Sequence, residues 1–273
     1  MSEWLFIGGA LALVLWFSQR YGWWRKTVPW ERPRVLMYHL ITPPVPGGSY
    51  RGMRVAPAAF ERQLQWLARR GFHFATVSEL LESRPPPRTV VLTFDDGYAD
   101  NFTHALPLLQ KYRAKATLYL VADREEGSDW SAKKKAHHST GELAREPKLS
   151  DAQVQEMLAS GVFELGAHTL THANLARLDA AAKQHEIAGS KQWLETRFGV
   201  PVRSFAYPFG IWDETDRDIV RATGFSTAVT TDAGIDALPL ADPLALRRIK
   251  VSGKETLLAF RLRLRTGRRG LWK

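Results

Sequence analysis

The sequence predicts a parallel α/β fold: a (β/α) barrel of about seven strands, preceded by an N-terminal membrane-anchor helix. Three observations lead there. From residue 34 onward, apolar strand-like runs alternate with amphipathic helical stretches, the pattern of strands joined by crossover helices. About seven such runs over roughly 230 residues suit one barrel better than two small sheets. The chain also opens on an unbroken apolar run. Hydrophobic residues make up 45% of the chain, enough to close a core and to exclude a disordered chain.

The elements follow in order. Residues 4–17 (WLFIGGALALVLWF) would span about 21 Å as a helix at ~1.5 Å per residue, short of the ~30 Å hydrocarbon core. Counting from Met1 to Ser18, with Tyr21, Trp23 and Trp24 as interfacial aromatics, extends the run to a spanning anchor over residues 1–24. A cleaved signal fits less well, because no Lys or Arg precedes the run and no small-x-small site follows Phe17. Residues 25–33 (RKTVPWERP) read as a linker and 34–260 as the globular domain. Within it, strands are expected at 34–39, 89–94, 116–121, 162–167, 203–207, 225–229 and 246–251. Helices are expected at 57–70, with Phe60, Leu64 and Leu67 on one face, and at 101–112. Further helices are expected at 150–160 with Ser150 as N-cap, at 180–198, and at 213–223 before Gly224. Residues 122–149 are polar and without period, a long loop of the length that is usually functional or disordered. Residues 261–273 form a basic tail, whose FRLRLR alternation from Phe260 suits a strand edge or an interface.

Charge is unevenly placed. The net +10 includes ten basic residues and one acid between Arg247 and Lys273, so the preceding residues are close to neutral. Such an end fits a solvated surface, an anionic lipid or an acidic substrate. It carries no recognisable nucleic-acid-binding module, so nucleic acid is not an expected partner. The chain has no cysteine. That excludes disulfides, thiolate ligands and a cysteine nucleophile, and leaves histidine and carboxylate for any transition-metal site.

Two motifs carry chemistry. The run TFDDGY puts Asp95 and Asp96 where a buried strand ends, and ligands of parallel α/β folds gather at the carboxyl ends of strands. Alone, Asp-Asp-Gly is an ordinary turn. The run GAHTLTH ends another strand in His168, with His172 four residues later; both imidazoles face one side if the segment turns helically. Alone, such a pair serves structure as readily as chemistry. Together, two histidines and one carboxylate are a common three-ligand set for a hydrolytic metal, leaving a position for water. A second carboxylate can then take that water's proton.

TFDDGY and HTLTH, in this order and about 70 residues apart, with FAYPFG at 205–210, resemble the signature motifs of the polysaccharide deacetylases, carbohydrate esterases that act on N-acetylated sugars. The resemblance covers roughly residues 34–260. It implies a distorted (β/α) barrel with an Asp-His-His site for zinc or a similar divalent ion, Asp96, His168 and His172 being ligands and Asp95 the catalytic base. It also implies a backbone N–H at Phe209 that helps hold an oxyanion. Two departures stand out. Many members carry an arginine, paired with the base, where this chain has Ala206. They also carry a general-acid histidine near the C-terminus, whereas no histidine follows His185 here. His39, at the end of the first strand, resembles the histidine that the exopolysaccharide deacetylase branch supplies from its N-terminal end, and is assigned as general acid. Tyr207, Phe209, Trp212 and Trp130 are candidate sugar-stacking aromatics, and His137 and His138 candidate loop contacts.

The expected function is therefore metal-dependent removal of N-acetyl groups from amino sugars in a polysaccharide or glycan, at a cell membrane. The alternatives are a deacetylase or deformylase of a lipid-linked amino sugar, and a catalytically inactive carbohydrate-binding barrel. Arg20, Arg25 and Lys26 follow the apolar run while Met1–Glu3 lacks any Lys or Arg; by the positive-inside tendency this favours a cytoplasmic domain.

Overall fold

The computed structural model describes residues 2–82, 84–124, 142–143, 145–268 and 270. Eight parallel strands form its sheet: β1 (Arg34–Tyr38), β2 (His73–Ala75), β3 (Thr89–Asp95), β4 (Ala116–Leu120), β5 (Phe163–Ala167), β6 (Ser204–Ala206), β7 (Thr227–Ala233) and β8 (Leu246–Lys250). Seven of them close a ring in the order β1-β8-β7-β6-β5-β4-β3, with β1 also paired to β3. β2 is the extra strand. One edge of β3 pairs with β1 along Val90–Phe94, while the other is divided between β2 at Thr89–Val91 and β4 at Leu92–Asp95. Closure is thin in places: β5 and β6 share a single residue pair, and β1 and β8 share two.

The strand period of two sorts side chains into two cores. Val35, Val91, Tyr119, Ala206, Val229 and Leu246 fill the inside of the ring. Leu36, Tyr38, Leu92, Phe94, Leu118 and Phe205 face outward against the helices. Those helices are α2 (Pro57–Arg69), the short α3 (Glu79–Glu82), α4 (Leu106–Lys111) entered through a π-turn at Asn101–Ala105, α5 (Asp151–Ala159), α6 (Ala180–Phe198), α7 (Glu214–Ala222) and α8 (Leu257–Thr266). Ser150 caps α5 in a capping box with Gln153, and Asp213 caps α7 with Asp216. Inside the ring, Gly166 is required by packing, since a Cβ there would stand 2.5 Å from the Tyr119 ring.

Two expectations change. The FRLRLR segment is helical, not extended: in α8, Phe260 and Leu264 are buried in the outer core and Arg263 is nearly so. The first helix, α1 (Ser2–Tyr21), exposes Phe6, Leu11, Leu13, Leu15 and Trp16. Among the described residues, however, no helix is long and apolar enough to cross a membrane. The physical reason is the length of the run: residues 4–17 are too few for the hydrocarbon core, and Gln19 and Arg20 follow at once.

Candidate active site

The carboxyl ends of β1, β3, β5 and β6 meet at one end of the barrel, and each delivers a polar group there. Tyr38 points outward, stacked on Phe94 with ring centroids 5.5 Å apart and donating its hydroxyl to Gln63 at 2.9 Å. The next residue, His39, therefore turns toward the barrel mouth. Asn101 Nδ2 donates to the His39 carbonyl at 2.9 Å and holds the turn. On β3, Thr93 and Asp95 share the inward side with Val91, so Asp95 rises at the rim of the ring.

Asp96 follows with φ of +78°, a left-handed conformation that favours glycine. Its Oδ1 lies 3.4 Å from His168 Nε2 and 3.4 Å from His172 Nε2. One ligand atom from each of the three residues lies within 4.8 Å of the others, and all three residues are buried. His168 Nδ1 lies 2.7 Å from the Ala206 carbonyl. Donation to that oxygen places the proton on Nδ1 and leaves Nε2 as an acceptor aimed at Asp96. Two donors each about 2.1 Å from one tetrahedral ion stand roughly 3.4 Å apart, the spacing Asp96 keeps with each histidine. The donor set, its spacing and the His168 tautomer fit zinc or a similar divalent ion.

Asp95 is served differently. Arg248, buried inside β8, donates Nη1 to Asp95 Oδ1 at 2.7 Å and Nη2 to Oδ2 at 2.8 Å. Its Nε donates to the Thr230 carbonyl at 2.7 Å, and Nη1 also donates to Thr93 Oγ1 at 2.9 Å. Burial alone would raise the Asp95 carboxyl, but the guanidinium outweighs it and holds the group below the usual aspartate range. Burial likewise opposes ionisation of Asp96, and the facing His172 and His168, when protonated, overcome it. His39 Nε2 stands 4.0 Å from Asp95 Oδ2. Its burial lowers the imidazole below its ordinary value, against the pull of Asp96 and Asp95.

Left-handed backbone collects at this end of the barrel. Besides Asp96, the non-glycine residues Thr169, His172 and Phe209 have φ of +63°, +57° and +60°. Such conformations cost free energy and persist where surrounding structure imposes them, commonly at functional sites. The Phe209 ring packs edge-on against His172 with centroids 4.6 Å apart, bringing the Pro208–Gly210 turn to the rim.

The structure thus brings Asp95, Asp96, His168, His172 and His39 together, with Phe209 beside them. Tyr207 is a correction. It is fully buried in the outer core, donates to the Leu244 carbonyl at 3.1 Å and stacks on Trp212, so its ring has no face left for a sugar. Trp130, His137 and His138 lie outside the described residues. Arg248 is the functional residue that sequence reasoning missed, counted there only as part of a basic end. The signal was present in the strand itself, because an arginine inside a buried run needs an acidic partner.

A seven-stranded parallel barrel with a buried Asp-His-His cluster at its carboxyl rim defines the class. The polysaccharide deacetylase family matches residues 82–228, a segment containing Asp95, Asp96, His168, His172 and the FAYPFG turn, but neither β1 nor β8. The chain is 31% identical over 234 residues to the Bacillus subtilis protein named "Putative polysaccharide deacetylase YxkH", covering 84% of this chain and 75% of that one. It is 24% identical to the poly-β-1,6-N-acetyl-D-glucosamine N-deacetylase of Staphylococcus aureus over 62% of this chain, and spans 58% of that enzyme. In three dimensions it superposes on the Streptococcus pyogenes deacetylase PplD, solved with acetate, with a TM-score of 0.70 and 26% identity over 85% of this chain and 97% of that one. The chain belongs to the polysaccharide deacetylase family.

Proposed function

We propose that this chain is a metal-dependent N-deacetylase of amino sugars in a polysaccharide or glycan, with zinc the preferred ion on Asp96, His168 and His172. The observation that carries this reading is the division of labour at the adjacent carboxylates: Asp96 faces two histidines, while Asp95 is clamped in its ionised form by Arg248. A divalent ion held by Asp96, His168 and His172 would lower the pKa of a water and polarise a carbonyl oxygen. Asp95 accepts the proton as water oxygen bonds to the acetamide carbon. The Phe209 backbone N–H donates to the oxygen on which charge develops. His39 gives a proton to the nitrogen as the C–N bond breaks, releasing acetate and a free amine. All of these groups being present argues against an inactive sugar-binding barrel. The S. aureus relative supports poly-N-acetylglucosamine as the first substrate to try.

A place at the membrane surface belongs to the same proposal. α1 exposes Phe6, Leu11, Leu13 and Trp16, and Trp23 and Trp24 are exposed just beyond it. Arg20, Arg25 and Lys26 lie beside them, and each would be drawn to an anionic leaflet by about 1 kcal/mol near the surface. That attraction favours the cytoplasmic face and admits a lipid-linked amino sugar as a second substrate class.

The deciding experiment incubates the zinc-loaded protein with poly-N-acetylglucosamine, other N-acetylated glycans and lipid-linked amino sugars, and measures acetate and formate. Acetate release that stops on chelation is expected. Formate alone, or no release from any member, would overturn the reading. C-terminal reporter fusions test the side: an active alkaline phosphatase fusion with a dark fluorescent-protein fusion would move the domain outside the cytoplasm.

A further inference from the structure

The turn between the two histidines is held from outside the barrel. Glu186, in the second turn of α6, accepts from the Leu170 backbone N–H at 2.9 Å and from the Thr171 N–H at 3.0 Å through one carboxylate oxygen. Its other oxygen accepts from Thr171 Oγ1 at 2.8 Å. The side chain is nearly buried, and among the described residues it forms no ion pair. Every hydrogen bond it makes there goes to the segment between His168 and His172. Three residues on, Gly189 clears the path for that segment, since a Cβ there would stand 2.9 Å from the Leu170 side chain.

These bonds fall where the backbone is least able to hold itself. Thr169 and His172 both sit at positive φ, a strained conformation that persists only where the surroundings impose it. A carboxylate that collects two consecutive N–H groups and a hydroxyl supplies charge-assisted bonds that outweigh such strain. It thereby fixes the direction in which His172 leaves the turn. His168 has its own restraint at the Ala206 carbonyl.

We propose that Glu186 is the positioning residue for the histidine pair: it never touches the ion, but sets the spacing of the two imidazoles through the turn that joins them. This rests on the reading of Asp96, His168 and His172 as a metal site. Removing groups that orient metal ligands typically weakens binding by about 10–100-fold.

The test measures zinc affinity by competition with a chromophoric chelator, together with melting of the metal-free protein, for wild type, Glu186→Gln and Glu186→Ala. Expected for Glu186→Ala is zinc binding weakened by roughly 10–100-fold, more than its drop in metal-free melting accounts for, because Ile187, Ser190 and Leu194 still bury α6. Glu186→Gln keeps one oxygen for the two N–H groups and should fall between. Zinc affinity within about threefold of wild type in Glu186→Ala, or a loss no larger than the drop in metal-free stability, overturns the proposal. Should Glu186→Ala not fold, unchanged affinity in Glu186→Gln overturns it instead. Failure of the metal reading looks different: wild type and His168→Ala would then bind zinc equally poorly.

Discussion

Arg248→Met strips a buried carboxylate of its guanidinium. The pair consists of two charge-assisted hydrogen bonds at 2.7 and 2.8 Å, with both side chains almost wholly out of solvent. Hydrogen bonds to charged groups contribute about 1.5–3 kcal/mol each, and breaking one side of a buried pair costs about 3–5 kcal/mol. For a domain of this size that corresponds to a fall in Tm of roughly 6–20 °C. The sign of the pH dependence follows from Asp95, whose carboxyl is held below its ordinary value of 3.8 in the fold. A depressed carboxyl contributes stability that is fully present above the unfolded value and fades as pH falls through the folded one. The gap between wild type and Arg248→Met should therefore be full near pH 7 and narrow below about pH 4, where the variant's carboxyl is neutral. Urea denaturation in the presence of a chelator measures it free of metal linkage. The double variant Asp95→Asn, Arg248→Met should regain part of the loss, because two uncharged groups remain. A gap under about 1 kcal/mol near pH 7, or one unchanged on acidification, would refute the claim that Arg248 holds Asp95 ionised.

Other outcomes follow from the same geometry. Asp95→Asn should abolish acetate release while zinc content measured by atomic absorption stays near wild type, whereas His168→Ala should lose both; equal zinc loss would mean that Asp95 also binds. His39→Ala should lower kcat by about 10²–10⁴-fold with zinc content unchanged, and near-wild-type turnover would assign the proton donor elsewhere. Gly166→Ala, which drives a methyl to 2.5 Å from the Tyr119 ring, should destabilise the fold by about 1–3 kcal/mol in urea denaturation. No change there would mean that Tyr119 swings away without loss.

The parts of this molecule legible in the sequence were those whose signal is local. Seven buried strands read as apolar runs because both faces of a parallel barrel strand are covered, and Ser150 announced α5 by its chemistry. The Asp-Asp and His-x-x-x-His motifs were equally local, each ending such a strand. What stayed hidden depended on partners far along the chain. The three-residue β2 exists because β3 has half an edge to offer. α8 looked extended because arginine alternated with leucine, yet Leu264 is buried and Arg263 tucks its stem against the fold while reaching the Lys250 carbonyl. Arg248 and Asp95 are separated by 153 residues, so the charge tally filed the arginine with a surface it never touches. Tyr207 misled for the opposite reason: its place in a family motif suggested contact with substrate, while its parity in β6 and the turn beyond sent it to the outer core.

The chain enters the barrel at the end opposite the chemistry. Arg34, the first residue of β1, is buried and donates to the carbonyls of Val28, Pro29 and Leu264, tying the segment after α1 and the end of α8 to the strands' amino ends. The Val28 N–H adds a bond to the Arg265 carbonyl at 2.8 Å. His39, Asp95 and His168 all stand at the other rim, one strand away, about 16 Å for five residues. Mooring and mouth are therefore back to back. If α1 rests on a bilayer, the barrel is a pier with its working face outboard, and a lipid-linked sugar meets the mouth only where its glycan extends past the barrel's own length. On such a pier reach would matter: the longer the glycan between its attachment and the acetamide, the more easily it would arch to the mouth.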